Sequence, residues 1–194
     1  EASLRISELV RDWKSAGRPD GRDGLLLSLA TAGVAYVPTF YDVTYLVDGR
    51  IQRVAPNHAD APWRVRKHTL MDLDEWPYPK APIVPMAETV HERYSVEIFR
   101  GCTRGCRFCQ AGMITRPVRE RPADQVRTMV SEGLKRTGYD EVALTSLSTA
   151  DFSGIEQVVH DTVNDPDCGG QVSVSLPSLR VDAFTVGIAG QIGK

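Results

Sequence analysis

Apolar and polar residues alternate along this chain in two styles. Leu4, Ile6, Leu9, Val10 and Trp13 recur near helical spacing and the run ends at Gly17 before Arg18-Pro19, which predicts a helix with Ser3 as its N-cap. A second, short helix is expected over 23–32, where Leu25, Leu26, Leu27 and Leu29 cluster, followed by an extended piece over 34–37 that stops at Pro38. Asp48-Gly49, between the β-prone runs 43–47 and 51–54, is a hairpin signal. Prolines at 56, 62, 77, 79, 82 and 85 then interrupt any helix, so this stretch reads as a linker with one strand over 64–70.

The second half changes style. Strand patterns over 95–100, 141–147 and 171–176 alternate with helical patterns over 122–137 and 154–164, and a last helix is expected from near Asp182. Such alternation implies an α/β fold with a parallel sheet. Val126, Met129, Val130 and Leu134 share one face of the first of these helices, with Asp124, Arg127, Glu132 and Lys135 outside it, so that face should cover the sheet. Ligands of parallel α/β folds bind beyond the carboxyl ends of the strands. Three segments follow strands there: a cysteine loop from 101, Ser146-Leu147-Ser148, and Pro177-Ser178-Leu179-Arg180.

That loop carries the chemistry. Cys102, Cys106 and Cys109 stand at C-x3-C-x2-C spacing, close enough for one loop to aim three sulfurs at one point. A cubane cluster has four irons, so three thiolates leave one iron open. Gly101, Gly105 and Gly112 permit the positive φ that turns backbone N–H groups toward an anion. Arg100, Arg104 and Arg107 are expected to add positive charge that favours thiolate. The rival reading is a structural zinc site taking His91, His160 or Cys168 as its fourth ligand. That reading makes the chain a non-catalytic RNA- or protein-binding module, with Arg116, Arg119 and Arg121 as a local basic patch. Electron transfer by a cluster alone is a third reading. Cys168, in a loop-like Asp-Pro-Asp-Cys-Gly-Gly setting, reads as a free thiol. His58, His68 and His160 read as surface or core residues.

The cysteine spacing, with Phe108 just before the last cysteine, resembles the signature of radical S-adenosylmethionine (SAM) enzymes. The resemblance implies that Cys102, Cys106 and Cys109 ligate a 4Fe–4S cluster, that SAM chelates the fourth iron, and that Phe108 packs near the adenine. It implies reductive cleavage of SAM to a 5′-deoxyadenosyl radical, with a reductant such as flavodoxin or ferredoxin as partner. The segment 96–121, and stretches 36–42, 144–151 and 175–180, are similar to cobalamin-type radical SAM proteins, and methylthiotransferases are similar in outline. Cobalamin-dependent methyl transfer or methylthiolation is therefore an expectation for the full-length protein, its cobalamin site lying outside this chain. The chain reads Ser146-Leu147-Ser148 where many of these enzymes place a Gly-Gly-Glu-like turn, and it has no Asp-x-His-x-x-Gly run. Ser146, Ser148 and Arg180 are the expected SAM contacts, Arg180 toward the carboxylate. The substrate, whether RNA, protein or small molecule, is left open.

Composition adds bounds. The chain has 194 residues, 42% hydrophobic, with 23 basic against 25 acidic residues for a net charge of −2. That balance gives no global pull toward nucleic acid, and no run approaches the roughly 20 apolar residues of a membrane span, so a cytoplasmic location is expected. Clustered rather than dispersed cysteines argue against a disulfide framework. The expected organisation is a small α+β segment over 1–55, a proline-rich arm over 56–94, and over 95–194 the N-terminal half of a partial (β/α)6 barrel. As an internal fragment, the chain is expected to show little or no turnover alone.

Overall fold

The computed structural model describes residues 2–166, 172–183 and 185–192. Its residues form two compact units, Glu1–Thr69 and Leu70–Lys194.

In the first unit, helices α1 (Ala2–Ser15) and α2 (Gly21–Thr31) precede an antiparallel hairpin of β1 (Tyr41–Tyr45) and β2 (Ile51–Pro56). The hairpin turn falls at Asp48-Gly49: Gly49 has φ 82° and Leu46 N–H donates to the Arg50 carbonyl at 2.8 Å. Ser3 does not cap α1, because the helix already includes Ala2 and the Ser3 carbonyl accepts the Ser7 hydroxyl at 2.9 Å. Residues 34–37 form no strand, and Pro38 opens a short 3-10 turn, Pro38–Phe40, a position where a missing N–H breaks no hydrogen bond. Residues 64–70 are irregular, since among the described residues the two hairpin strands pair only with each other and offer them no ladder.

The second unit runs β3 (Tyr94–Glu97), β4 (Phe99–Arg100), α3 (Ala111–Ile114), β5 (Arg119–Glu120), α4 (Ala123–Thr137), β6 (Glu141–Thr145), α5 (Ile155–Val163), β7 (Ser173–Ser175) and α6 (Val186–Ile192). Strands β3, β6 and β7 form a parallel sheet in the order β3-β6-β7. The expected strand 95–100 is broken at Ile98: β3 belongs to the parallel sheet, whereas β4 pairs antiparallel with β5. Strand β6 stops at Thr145 because Ser146 to Ser148 turn back on themselves, Ser148 N–H donating to the Ser146 hydroxyl at 3.2 Å. Gln171 and Cys168 lie outside the described residues.

Helices α4 and α5 cover one face of this sheet. Val126, Met129, Val130 and Leu134 of α4 and Val158 and Val159 of α5 pack onto Tyr94, Val96, Val142 and Leu144, all buried. Each such side chain removed from water contributes about 1.5–3 kcal/mol. Gly133 lets α4 approach β3: a Cβ there would stand 2.0 Å from Tyr94 Cε1. Helix α4 ends at Gly138, φ 74°, whose N–H donates to the Leu134 carbonyl at 2.8 Å, a left-handed C-terminal turn that glycine adopts without strain. Asp124, Arg127 and Lys135 are exposed as expected; Glu132 is half-buried, 3.8 Å from Arg136. The opposite sheet face carries the alternate, mostly polar positions Ser95, Glu97, Glu141, Thr145, Ser173 and Ser175. Arg93 reaches over it to Glu141 at 2.9 Å and to Ser175 Oγ at 3.0 Å.

Candidate metal centre

The cysteines sit on an excursion, 101–118, that leaves β4 and returns through β5. Pairing of Phe99 with Glu120 and Arg100 with Arg119 pinches its base. Gly101, φ 95°, lies against the returning limb: a Cβ there would stand 2.4 Å from the Pro117 carbonyl oxygen, so only glycine fits. Arg116 donates from Nε to the Cys102 carbonyl at 3.1 Å and from Nη2 to Thr103 at 3.3 Å. Buried Arg119 donates to the carbonyls of Pro117, Thr115 and Leu70 at 2.9, 2.7 and 2.8 Å. Two guanidinium groups thus saturate carbonyls that a folded-over loop would otherwise leave unpaired.

On this frame Cys102 and Cys109 are half-buried and Cys106 exposed, all as free thiols; Cys109 N–H donates to the Cys106 carbonyl at 3.0 Å in a tight turn. Gly105 takes positive φ, 70°, as expected, but Gly112 is a residue of the one-turn helix α3 and needs no such freedom. The donor set, three thiols on one loop, fits an iron–sulfur cluster. Among the described residues no three His, Cys, Asp or Glu side chains are gathered to hold a metal ion. Ligation therefore has to draw the sulfurs together, with binding free energy driving the closure.

Two of the three arginines around the cysteines are paired with carboxylates, so part of the positive charge expected there is neutralised, although Arg104 still acts on Cys102. Arg100 donates to both Glu97 oxygens at 2.7 Å. Arg104 is paired with Asp151, Nε to Oδ2 at 2.9 Å and a second contact to Oδ1. Arg107 is exposed and, among the described residues, unpaired. The proposed basic patch is likewise no surface: Arg119 and Arg121 are 7% and 5% exposed. Arg121 donates to the Glu97 carbonyl at 3.1 Å and also to that of Leu73. Burial lowers both guanidinium pKa values.

The other expected site residues share the carboxyl edge of the sheet. Ser146 Oγ lies 3.1 Å from Thr149 Oγ1, and Thr149 also donates to the Pro177 carbonyl at 2.5 Å, joining the loop after β6 to the loop after β7. Ser148 is 1% exposed, its Oγ near the Asp151 carboxylate but outside hydrogen-bonding geometry. Arg180 lies 3.4 Å from Asp151 Oδ2 and contacts Asp182. Phe108 is 92% exposed, which excludes core packing and leaves its ring presented from the loop. A cleft of about 500 Å³ opens between Gly101 and the Ser146-Leu147 turn, with Glu97, Phe99 and Thr145 in its walls; its size suits a small-molecule ligand.

Asp151 is the residue that sequence reasoning missed. It ends the 3-10 turn Thr149–Asp151, just beyond Ser148, and the Arg104 hydrogen bond, with help from Arg180, holds its carboxyl down at about 2 against the opposing effect of partial burial. The one signal in the sequence was its place a few residues past β6, on the ligand edge.

Comparison with known proteins bears on this unit. Residues 96–184 match the Radical SAM superfamily. Over 91 residues, 47% of this chain, the sequence is 37% identical to an uncharacterized protein of Methanocaldococcus jannaschii, covering 19% of that protein. It is 28% identical, over 91 residues and again 47% of the chain, to the mitochondrial lipoyl synthase of Branchiostoma floridae, covering 22% of it. The chain spans about a fifth of the length of these curated relatives.

Proposed function

We propose that residues 95–194 are the front part of a radical SAM enzyme's partial (β/α)6 barrel, and that Cys102, Cys106 and Cys109 hold its 4Fe–4S cluster. The observation that carries this reading is the coincidence of the superfamily match over 96–184 with three thiols on a braced loop at the carboxyl edge of a parallel sheet. When bound, the cluster and SAM supply reductive cleavage to methionine and a 5′-deoxyadenosyl radical that abstracts hydrogen from a substrate. The chain's own residues bind and orient. Arg116 and Arg119 fix the loop backbone, Phe108 offers an aromatic face to the adenine, and the cleft beside Gly101 receives the nucleotide. Ser146, Ser148 and Arg180 border that edge, with Arg180 engaged by two carboxylates.

A lipoyl synthase among the relatives supports an enzyme over a scaffold. For the whole protein, corrinoid-assisted methyl transfer or methylthiolation is a proposal that rests on the sequence resemblance to cobalamin-type proteins. The zinc-module reading loses its RNA surface, because Arg119 and Arg121 are buried against backbone carbonyls.

The test is anaerobic reconstitution of the full-length protein, measuring iron, sulfide and 5′-deoxyadenosine with and without Cys106→Ala. About four irons and four sulfides per chain, with SAM-dependent 5′-deoxyadenosine abolished by the substitution, is the expected outcome. One zinc and no iron would overturn it.

A further inference from the structure

The geometry points to Asp151 as a clamp that holds the outer limb of the cysteine loop over the carboxyl edge of the sheet, through its bridge to Arg104 on one side and Arg180 on the other, so that ligation has only to close the sulfurs together. The inference rests on the reading of Cys102, Cys106 and Cys109 as cluster ligands for its purpose, but not for its geometry.

The loop is braced well at its base and poorly at its far side. Gly101, Arg116 and Arg119 tie residues 101–103 and 115–119 together. Residues 103–108 are exposed throughout; beyond the Thr103 carbonyl held by Arg116, the contact that among the described residues fastens this outer limb to the rest of the unit is Arg104 with Asp151, 47 residues away in sequence. The pair has the two-pronged form, Nε to Oδ2 and Nη2 to Oδ1, which fixes direction as well as distance. Arg104 lies midway between Cys102 and Cys106, so fixing its side chain restricts the backbone on which both thiols ride.

The anchor itself is firm. Asp151 N–H donates to the Ser148 carbonyl at 2.8 Å, and Phe152 beside it is buried, its ring stacked 6.4 Å from that of Phe99 at the root of the loop. Its Oδ2 also faces Arg180 at 3.4 Å, and Arg180 in turn contacts Asp182. One carboxylate therefore joins the segments after β4, β6 and β7. With both oxygens engaged by guanidinium groups, Asp151 acts as a positioning residue rather than as a ligand for an ammonium group. Without the bridge, the outer limb would have to be ordered at the moment of metal binding, at a cost in backbone entropy for each residue fixed.

The experiment compares wild type, Asp151→Asn, Asp151→Glu, Arg104→Ala and the double variant Asp151→Asn with Arg104→Ala in the full-length protein. In the metal-free state, amide hydrogen exchange is followed over 102–108, with the amides of α4 and β6 as controls for folding. Asp151→Asn should speed exchange in the loop about five-fold, the size expected for losing a charge-assisted bridge of this exposure, with the controls unchanged. Arg104→Ala should do the same, and the double variant no more than either alone. Asp151→Glu should restore part of the protection. After anaerobic reconstitution, release of iron to a chelator should quicken by a similar factor. Unchanged loop exchange in Asp151→Asn, or additive effects in the double variant, would overturn the clamp. A weakened SAM response with normal exchange and iron retention would overturn it in favour of direct ligand contact. A wild type that takes up no iron sinks the cluster reading, whereas the exchange comparison still decides the clamp.

Discussion

At the scale of single residues the site is organised by charge pairs that local sequence does not announce. The cysteine loop stood out by its spacing, and the positive φ expected at Gly101 is found, 95°, at a place where a Cβ would also meet the Pro117 carbonyl. The arginines misled, because residue type gives charge but not partner: Arg100 faces Glu97, Arg104 faces Asp151, and Arg119 and Arg121 face carbonyls. Asp151 gives a pH signature. Its carboxyl, about 2 in the folded chain, titrates near 4 when unfolded, so its contribution to stability is present above about pH 4 and is lost as pH falls toward 2. The stability difference between wild type and Asp151→Asn, measured by urea unfolding, should hold its full value above about pH 5 and shrink steadily as pH falls toward 2. A difference independent of pH would mean that the carboxylate's charge is not what stabilises.

At the scale of elements, periodicity located what is long and missed what is short. Helices α4 and α5 were readable because their apolar stripes recur every three or four residues, and the buried face of α4 is the expected one. The β4–β5 ribbon was not, since two-residue strands paired across the cysteine loop leave no local pattern. The packing of α4 on β3 yields a sharper prediction. Gly133→Ala improves helix propensity by about 1 kcal/mol, yet its Cβ would stand 2.0 Å from a Tyr94 ring that is 4% exposed and whose hydroxyl donates to the Pro79 carbonyl at 3.3 Å. The steric cost, about 1–3 kcal/mol of overpacking, should win and lower the thermal midpoint. Because the same ring causes the clash, Gly133→Ala should cost much less in a Tyr94→Ala background. Equal costs in both backgrounds would place the strain elsewhere.

At the scale of the whole molecule, alternation of strand and helix foretold the parallel sheet of the second unit, and the hairpin signal foretold the heart of the first. Where one compact unit gives way to the next was harder to read, because prolines mark interruption without saying which side each residue packs with. The boundary at Thr69–Leu70 follows an irregular stretch in which Arg64, Arg66 and Lys67 are exposed. Exposed basic residues also lie in the cysteine loop, Arg104 and Arg107, so trypsin offers a direct contest between two segments. The cysteine loop is tied at its base by Gly101, Arg116 and Arg119 and at its outer limb by Asp151, whereas residues 64–67 belong to no ladder or helix. Proteolysis follows local opening, and a segment with fewer backbone ties opens at lower free energy. Under limiting trypsin, cleavage at 64–67 should therefore come before cleavage after Arg104 or Arg107, which should be slower still once iron is loaded. Cleavage within the cysteine loop before 64–67 would show that its ties are weaker than those of that stretch, and would remove the argument that the loop's outer limb is held before metal arrives.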